Sequence, residues 1–144
     1  MPHSLYKIWL HVVFSTHLRE PLINSRVEPF LHRHIRNLLT EAGCEPLAVN
    51  GVEDHVHLLF QMNPNKSVSE IVKQIKGNSS HTINQSGLTQ NKFVWQTGYG
   101  AFSVSESAVE NFQRYIKNQK EHHKKITFQD ELNKIIEVYH LKSN

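Results

Sequence analysis

The sequence has very little cysteine and no long apolar run. Cys44 is the single cysteine among 144 residues, so a disulfide within the chain is excluded and a reducing compartment is indicated. No apolar run approaches the ~18 residues that a membrane-spanning helix needs, and residues 1–4 are unlike a secretory leader. We therefore expect a soluble, cytoplasmic protein with no membrane partner.

Neither sign of charge dominates the composition. Sixteen Lys and Arg residues face thirteen Asp and Glu residues, for a formal net charge of +3, and eleven histidines accompany them. This balance is compatible with a nucleic-acid partner and does not require one. The length and a hydrophobic content of 38% predict one domain, residues 1–144, with a core of its own.

The periodicity of apolar residues predicts the element order β-α-β-β-α-β-α. The predicted elements are a strand over 6–14, a helix over 24–42, strands over 46–52 and 55–62, a helix from 67 to a loop at 85–87, a strand region over 93–105, a helix over 107–124 and a helix over 128–139. The alternation in the first strand predicts a sheet with one buried face. The order predicts an α+β fold, a ferredoxin-like (split βαβ) sandwich with an antiparallel sheet and an added C-terminal helix that carries a tyrosine.

His55 and His57 form the strongest chemical signal, a His-x-His motif on a predicted strand. In a strand, side chains at positions i and i+2 leave the same face about 6.5–7 Å apart along the chain. Both imidazoles can therefore bind one cation. His32 and His34 have the same spacing on a predicted helix, where they point about 200° apart. That second pair cannot share an ion, so the spacing is informative only on the strand.

Tyr115 and Gln119 lie four residues apart on the predicted third helix, and so on one face of it. Two imidazoles and an amide oxygen would fill three positions around a six-coordinate divalent ion and leave the others for water and phosphate oxygens. A structural zinc site would instead need four ligands, often cysteines. The residues therefore suit an open catalytic Mg²⁺ or Mn²⁺ site, and no nucleotide cofactor is expected.

These motifs resemble those of single-tyrosine HUH transposases of the insertion-sequence 200/605 type, where HUH denotes His, a bulky hydrophobic residue and His. Three segments carry the resemblance, in the order in which the family has them: DHVHLL at 54–59, WQTGYGAFSVS at 95–105, and YIKNQ at 115–119 followed by two histidines. The resemblance covers essentially the whole chain.

The resemblance implies a transposase that nicks and rejoins single-stranded DNA next to subterminal hairpins. Tyr115 would attack a phosphodiester, forming a 5′-phosphotyrosine link and a free 3′-OH. His55, His57 and Gln119 would hold the metal ion. Asp54 could orient an imidazole, although a plain turn aspartate fits the sequence equally well. Family members are homodimers, in which the tyrosine helix of one subunit can complete the metal site of the other.

Basic residues make the third helix the candidate DNA-contacting surface. The residues are Arg114, Lys117, Lys120, Lys124 and Lys125. A run of charge is usually a solvated face, but an enzyme that nicks a strand must neutralise phosphates. The adjacent His122 and His123 could reach the site or the DNA, but they are expected at the solvated end of this helix.

Two other interpretations stay open. One is an HUH nuclease of the replication-initiation or relaxase type, but the replication type commonly has lysine where Gln119 stands. The other is a domesticated, non-catalytic module that binds hairpin DNA on a ferredoxin-like sheet. The intact His55, His57, Tyr115 and Gln119 favour the transposase.

Overall fold

Four antiparallel strands form one sheet with the order β2-β3-β1-β4. The computed structural model describes residues 4–139 and residue 141. The strands are β1 (Trp9–Ser15), β2 (Glu45–Val52), β3 (His55–Gln61) and β4 (Gly100–Val104), and the helices are α1 (Val27–Glu41), α2 (Val68–Ser86), α3 (Val109–Lys117), α4 (Gln119–His122) and α5 (Phe128–Val138). Short 3₁₀ turns occupy His17–Arg19 and Glu106–Ala108. The order confirms the predicted ferredoxin-like plan with an added C-terminal part.

Helices cover both faces of the sheet. Val12 and Leu58 pack with α1 and α2 in the larger core cluster, whereas Leu59 packs with residues of α3 on the opposite face. The prediction of one buried face was wrong, because His11 and Val13 are 2% exposed while Val12 is 0% exposed. The second face is closed by the segment after β4.

Local capping sets the starts of two helices. The Ser67 side chain accepts a hydrogen bond from the Glu70 backbone N–H, and the Glu70 carboxylate accepts one from the Ser67 N–H. This capping box begins α2. Thr127 and Asp130 form the same arrangement at the start of α5. Hydrogen bonds between residues three apart in the sequence therefore determine where both helices begin.

The third helix is interrupted, which differs from the prediction of one helix over 107–124. Asn118 leaves the helical region, with φ −95° and ψ 15°, and separates α3 from α4. The Asn50 Nδ2 group donates to the carbonyl oxygens of Ile116 and Lys117, at 2.9 and 3.2 Å. A side chain from β2 thus satisfies carbonyls at the end of α3, which lets the chain turn.

The strands β1 and β4 begin later in the chain than predicted. Tyr6 and Ile8 precede β1 and are 57% and 41% exposed. Before β4, Trp95 forms an isolated bridge to Thr16 rather than part of a continuous strand. Within the described residues, no helix combines the length and the apolar character required to cross a bilayer.

Candidate active site

His55 and His57 project from β3 toward α3, α4 and α5, and both are 0% exposed. Their ring centroids are 5.1 Å apart. The ring of His55 stacks on Phe128 of α5, with centroids 4.2 Å apart, and the ring of His57 meets Tyr115 edge-on at 5.7 Å. The alternation of side chains along the strand predicted that the two imidazoles share a face. The helices α3 and α5 cover that face and enclose both rings in a buried pocket of polar groups.

Each of these imidazoles is held through its Nδ1 atom. His55 Nδ1 lies 2.7 Å from Asp54 Oδ1, and His57 Nδ1 lies 2.7 Å from His11 Nε2. A carboxylate accepts, so His55 carries a proton on Nδ1, and its Nε2 atom points inward toward Glu131 and Gln119. Burial, reinforced by His57, lowers the pKa of His11 to about 3. His11 is therefore a neutral partner for His57, and sequence reasoning missed it because it lies on another strand.

Tyr115 and Gln119 reach the histidines within the same chain. Gln119 is 0% exposed, and its Oε1 atom lies 3.2 Å from His55 Nε2. Its Nε2 atom donates to Glu131 Oε2 at 3.1 Å, which directs the amide oxygen toward the imidazoles. Tyr115 is half-buried and donates its hydroxyl proton to Glu131. The four predicted residues are thus brought together by the tertiary fold.

Glu131 is the centre of the cluster, and sequence reasoning missed it. It lies on the first turn of α5 and is 2% exposed. Its Oε1 atom is 3.0 Å from His57 Nε2, 3.4 Å from His55 Nε2 and 3.2 Å from His123 Nε2. An acidic residue in the first turn of a helix is ordinarily explained by the helix dipole, so no local signal distinguished it.

The expectation of a solvated end at His122 and His123 was wrong. The His123 side chain is 8% exposed, and its Nδ1 atom donates to the Ile126 carbonyl oxygen at 3.0 Å. The interruption at Asn118 and the turn after α4 bring both rings over Glu131; His122 Nε2 is 3.2 Å from Glu131 Oε2. Burial lowers the pKa of His122.

The electrostatics of the site are governed by burial and by Glu131. Burial alone would raise the pKa of Glu131, but the hydrogen bonds from His55 and His57 outweigh it and lower that pKa, so the carboxylate stays ionised. Burial opposes the charged form of His55, yet its hydrogen bonds to Asp54 and Glu131 raise its pKa. Burial dominates at His57 and lowers its pKa. Burial and the Glu131 carboxylate raise the pKa of Tyr115, which keeps its phenol protonated.

The donor set fits a divalent cation. Ligand atoms of His55, His57, His123 and Glu131 lie within 4.8 Å of one another. His123 Nε2 is buried and has no hydrogen-bond partner among the described residues. Its Nδ1 atom carries a proton, so a lone pair on Nε2 faces the carboxylate. His55 Nε2 likewise faces the acceptor oxygen of Gln119. The His123 lone pair, the Glu131 carboxylate and the Gln119 amide oxygen are all acceptors, and a cation bound among them would satisfy all three.

A cavity of about 350 Å³ lies between α3 and α5, and Tyr115 is part of its lining. Phe112 and Ile126 supply apolar walls, and Glu131 and Lys134 are polar residues of its lining. The cavity therefore joins solvent to the phenol and to the carboxylate that accepts its proton.

The five basic residues proposed to contact DNA are exposed, and several have protein partners. Arg114 pairs with Glu110 at 3.3 Å, and Lys124 pairs with Glu121 at 2.9 Å. Lys120 donates to Asn50 Oδ1 at 2.9 Å and pairs with Glu28. Lys117 and Lys125 are exposed beside them. Contact of these residues with DNA stays a prediction.

The chain is similar to transposases in sequence. The model of the family "Transposase IS200 like" matches residues 4–119. The ISDra2 transposase TnpA of Deinococcus radiodurans is 25% identical over 120 residues, which cover 80% of this chain and 86% of that protein. The transposase for insertion sequence element IS200 of Salmonella typhimurium is 26% identical over 129 residues, which cover 86% of this chain and 84% of that protein.

Solved structures have the same fold. A transposase structure from D. radiodurans R1 matches with a TM-score of 0.66 and 29% identity, over 81% of this chain and 93% of that chain. A REP-associated tyrosine transposase bound to a REP hairpin matches with a TM-score of 0.61 and 16% identity, over 84% of this chain and 73% of that one. The second likeness concerns the fold alone.

Proposed function

The chain belongs to the IS200-like transposase family, and on that premise we propose that it nicks and rejoins single-stranded DNA at hairpin-marked element ends through a covalent link to Tyr115. The observation that carries the proposal is the position of the Tyr115 hydroxyl. It lies in one cluster with His57, Gln119 and Glu131, and Tyr115 and Glu131 both line a cavity open to solvent.

The chemical step follows from the groups around the phenol. The Tyr115 oxygen attacks phosphorus, a new P–O bond to tyrosine forms, and the bond from phosphorus to the 3′ oxygen breaks. The phenolic proton is donated toward Glu131 in the resting site, and overall it is transferred to the departing 3′ oxygen, which leaves as a hydroxyl. The ester conserves the bond, so the 3′-OH of another strand can reverse the step without ATP.

A phenol of raised pKa is a weak nucleophile, so the step needs help from its surroundings. His55, His57 and Gln119 are the proposed ligands of a Mg²⁺ or Mn²⁺ ion, and Asp54 and His11 orient the two imidazoles. When bound, such an ion supplies Lewis acidity to the phosphate.

The substrate and assembly belong to the proposal as well. Hairpin single-stranded DNA is the proposed partner, supported by the hairpin bound to a protein of the same fold. A homodimer, a single domain over 1–144 and action in the cytoplasm stay predictions. Tyr115 and Gln119 meet His55 and His57 within one chain here, so we propose assembly of the site in cis; sedimentation analysis will measure the oligomeric state.

The test measures covalent transfer of a labelled DNA fragment to the protein. Single-stranded hairpin oligonucleotides with randomised flanks are labelled at the 3′ end and incubated with Mn²⁺ or Mg²⁺. We expect the label to become covalently attached to the wild-type chain and to the control Tyr99→Phe, whose tyrosine is 43% exposed. Tyr115→Phe should bind the hairpin and form no adduct.

An adduct that persists in Tyr115→Phe would refute the nucleophile assignment. EDTA and His57→Ala should abolish the adduct, and cleavage that is indifferent to both would refute the metal-assisted step. Hairpin binding without an adduct under either metal ion would favour the non-catalytic module. Cleavage that requires a double-stranded origin would favour the replication-type nuclease.

A further inference from the structure

We propose that His123 and Glu131 bind the same divalent ion as His55 and His57, which makes the segment carrying α4 and α5 a part of the metal centre. The inference deepens the proposed function and rests on it for the presence of an ion. Both added residues lie beyond residues 4–119, to which the family model matches.

The distances around Glu131 are those between ligands of one ion. Atoms that bind a single metal at about 2.0–2.2 Å lie about 3–3.5 Å from each other in tetrahedral or octahedral arrangements. Glu131 Oε1 is 3.0 Å from His57 Nε2 and 3.2 Å from His123 Nε2. His55 Nε2 is 3.4 Å from the same oxygen and 3.2 Å from Gln119 Oε1. The five groups therefore have the spacing of one coordination shell.

Protonation of the histidines is an unfavourable way to satisfy the inward polar atoms of this cluster. His55 and His123 hold protons on Nδ1 through Asp54 and the Ile126 carbonyl. His57 can stay neutral with its proton on Nε2, but to protonate their inward atoms His55 and His123 would both have to become cations beside one carboxylate. Like charges so close disfavour one another. One divalent cation instead gives every inward lone pair a partner.

Hydrogen bonds and packing orient His123 and Glu131 toward the two histidines on β3. The Ile126 carbonyl fixes the ring of His123. Glu131 lies one turn after Phe128, whose ring stacks on His55 at 4.2 Å and anchors α5 to the sheet. Glu131 Oε2 accepts from Tyr115 and from Gln119. One carboxylate thus faces the ion with one oxygen and positions the nucleophile with the other.

The addition of His123 and Glu131 to the ligands changes which metal ion the site is expected to prefer. Three imidazole nitrogens and a carboxylate suit transition-metal ions, whereas Mg²⁺ prefers oxygen ligands and retained water. With the oxygen of Gln119, the protein would fill five of six positions and leave one for a phosphate oxygen. We therefore expect Mn²⁺ to bind at least ~10-fold more tightly than Mg²⁺.

Metal binding and protection of the α4–α5 connection test the proposal without measuring nicking. The full chain is freed of metal with EDTA, and Mn²⁺ affinity is measured by calorimetry for wild type, Glu131→Gln, His123→Ala and the control Glu137→Gln, an exposed glutamate on α5. Loss of a group that merely orients a ligand already weakens binding about 10–100-fold, so loss of a ligand should raise Kd at least ~10-fold. Thermal unfolding without metal verifies that each variant folds. If Glu131→Gln does not fold, Glu131→Asp is used in its place.

Trypsin provides the second readout, because Lys124 and Lys125 are exposed between α4 and α5. Mn²⁺ should slow cleavage after these lysines in wild type and in Glu137→Gln, and should not slow it in Glu131→Gln.

Wild-type affinity in Glu131→Gln and His123→Ala, with binding lost in His57→Ala, would overturn this inference and leave the proposed function intact. If the wild-type chain binds no Mn²⁺, the metal-assisted step of the proposed function fails too. Faster nicking by Glu131→Gln at unchanged affinity would make Glu131 a competitor of the phosphate and overturn its role as a ligand.

Discussion

Replacing His11 by phenylalanine should weaken metal binding while leaving the fold intact. The ring of His11 is stacked on His57, with centroids 5.0 Å apart, and lies 6.0 Å from Phe102 and 5.4 Å from Phe112. A phenyl ring fits this aromatic surrounding and keeps its apolar contacts. It removes the His11 Nε2 atom, which lies 2.7 Å from His57 Nδ1 and would accept its proton when Nε2 of His57 binds an ion.

The magnitude follows from the tautomer of His57. A buried N–H without an acceptor is unfavourable by about 1–3 kcal/mol, and His57 can avoid this by moving its proton to Nε2, which lies 3.0 Å from Glu131 Oε1. Unfolding free energy without metal should therefore change little. The shifted tautomer cannot bind an ion through Nε2, so the Kd for Mn²⁺ should rise about 10–100-fold, or roughly 1.4–2.8 kcal/mol.

Calorimetric titration of the metal-free chain with Mn²⁺ measures this effect, and nitrogen NMR shifts of His57 report its tautomer. His34→Phe, a change at a histidine on α1 away from the cluster, is the matched control and should bind as wild type does. Unchanged affinity in His11→Phe, together with lost binding in His57→Ala, would refute the argument that His11 sets the tautomer.

Two further predictions concern stability, measured by urea unfolding in EDTA. Burial lowers the pKa of His32 from 6.5 to about 4, so the unfolded chain binds the additional proton and stability falls as pH falls between these values; at pH 5 the loss is about 2 kcal/mol. His32→Leu should lack this loss between pH 7 and 5 and His34→Leu should keep it, and an equal loss in His32→Leu would contradict the assignment. A Cβ on Gly51 would lie 2.1 Å from the His55 carbonyl oxygen, whereas one on Gly77 meets no atom within 4 Å. Gly51→Ala should therefore destabilise by more than ~2 kcal/mol and Gly77→Ala should stabilise by roughly 0.5–1 kcal/mol; wild-type stability in Gly51→Ala would show that the hairpin tolerates the clash.

Sequence periodicity was informative wherever neighbours along the chain decide the outcome. The alternation around His55 and His57 placed both imidazoles on one face, because strand side chains alternate. Ser67 and Glu70 marked the start of α2, because a capping box is made within one turn. The same reasoning was wrong about the third helix, since the break at Asn118 depends on Asn50, a residue on β2.

The sequence by itself determined the element order and the histidine pair, since each depends on spacing along a single segment. It also identified Tyr115 and Gln119, although the break at Asn118 places them on two successive helices. Only the tertiary structure decided that His11 orients His57 and that Glu131 lies among the imidazoles. His11 and His57 are 46 residues apart and meet because β1 pairs with β3. Glu131 is 74 residues from His57 and meets it because α5 docks through Phe128 on the sheet. Such contacts arise from long-range packing, which leaves no periodic trace in the sequence.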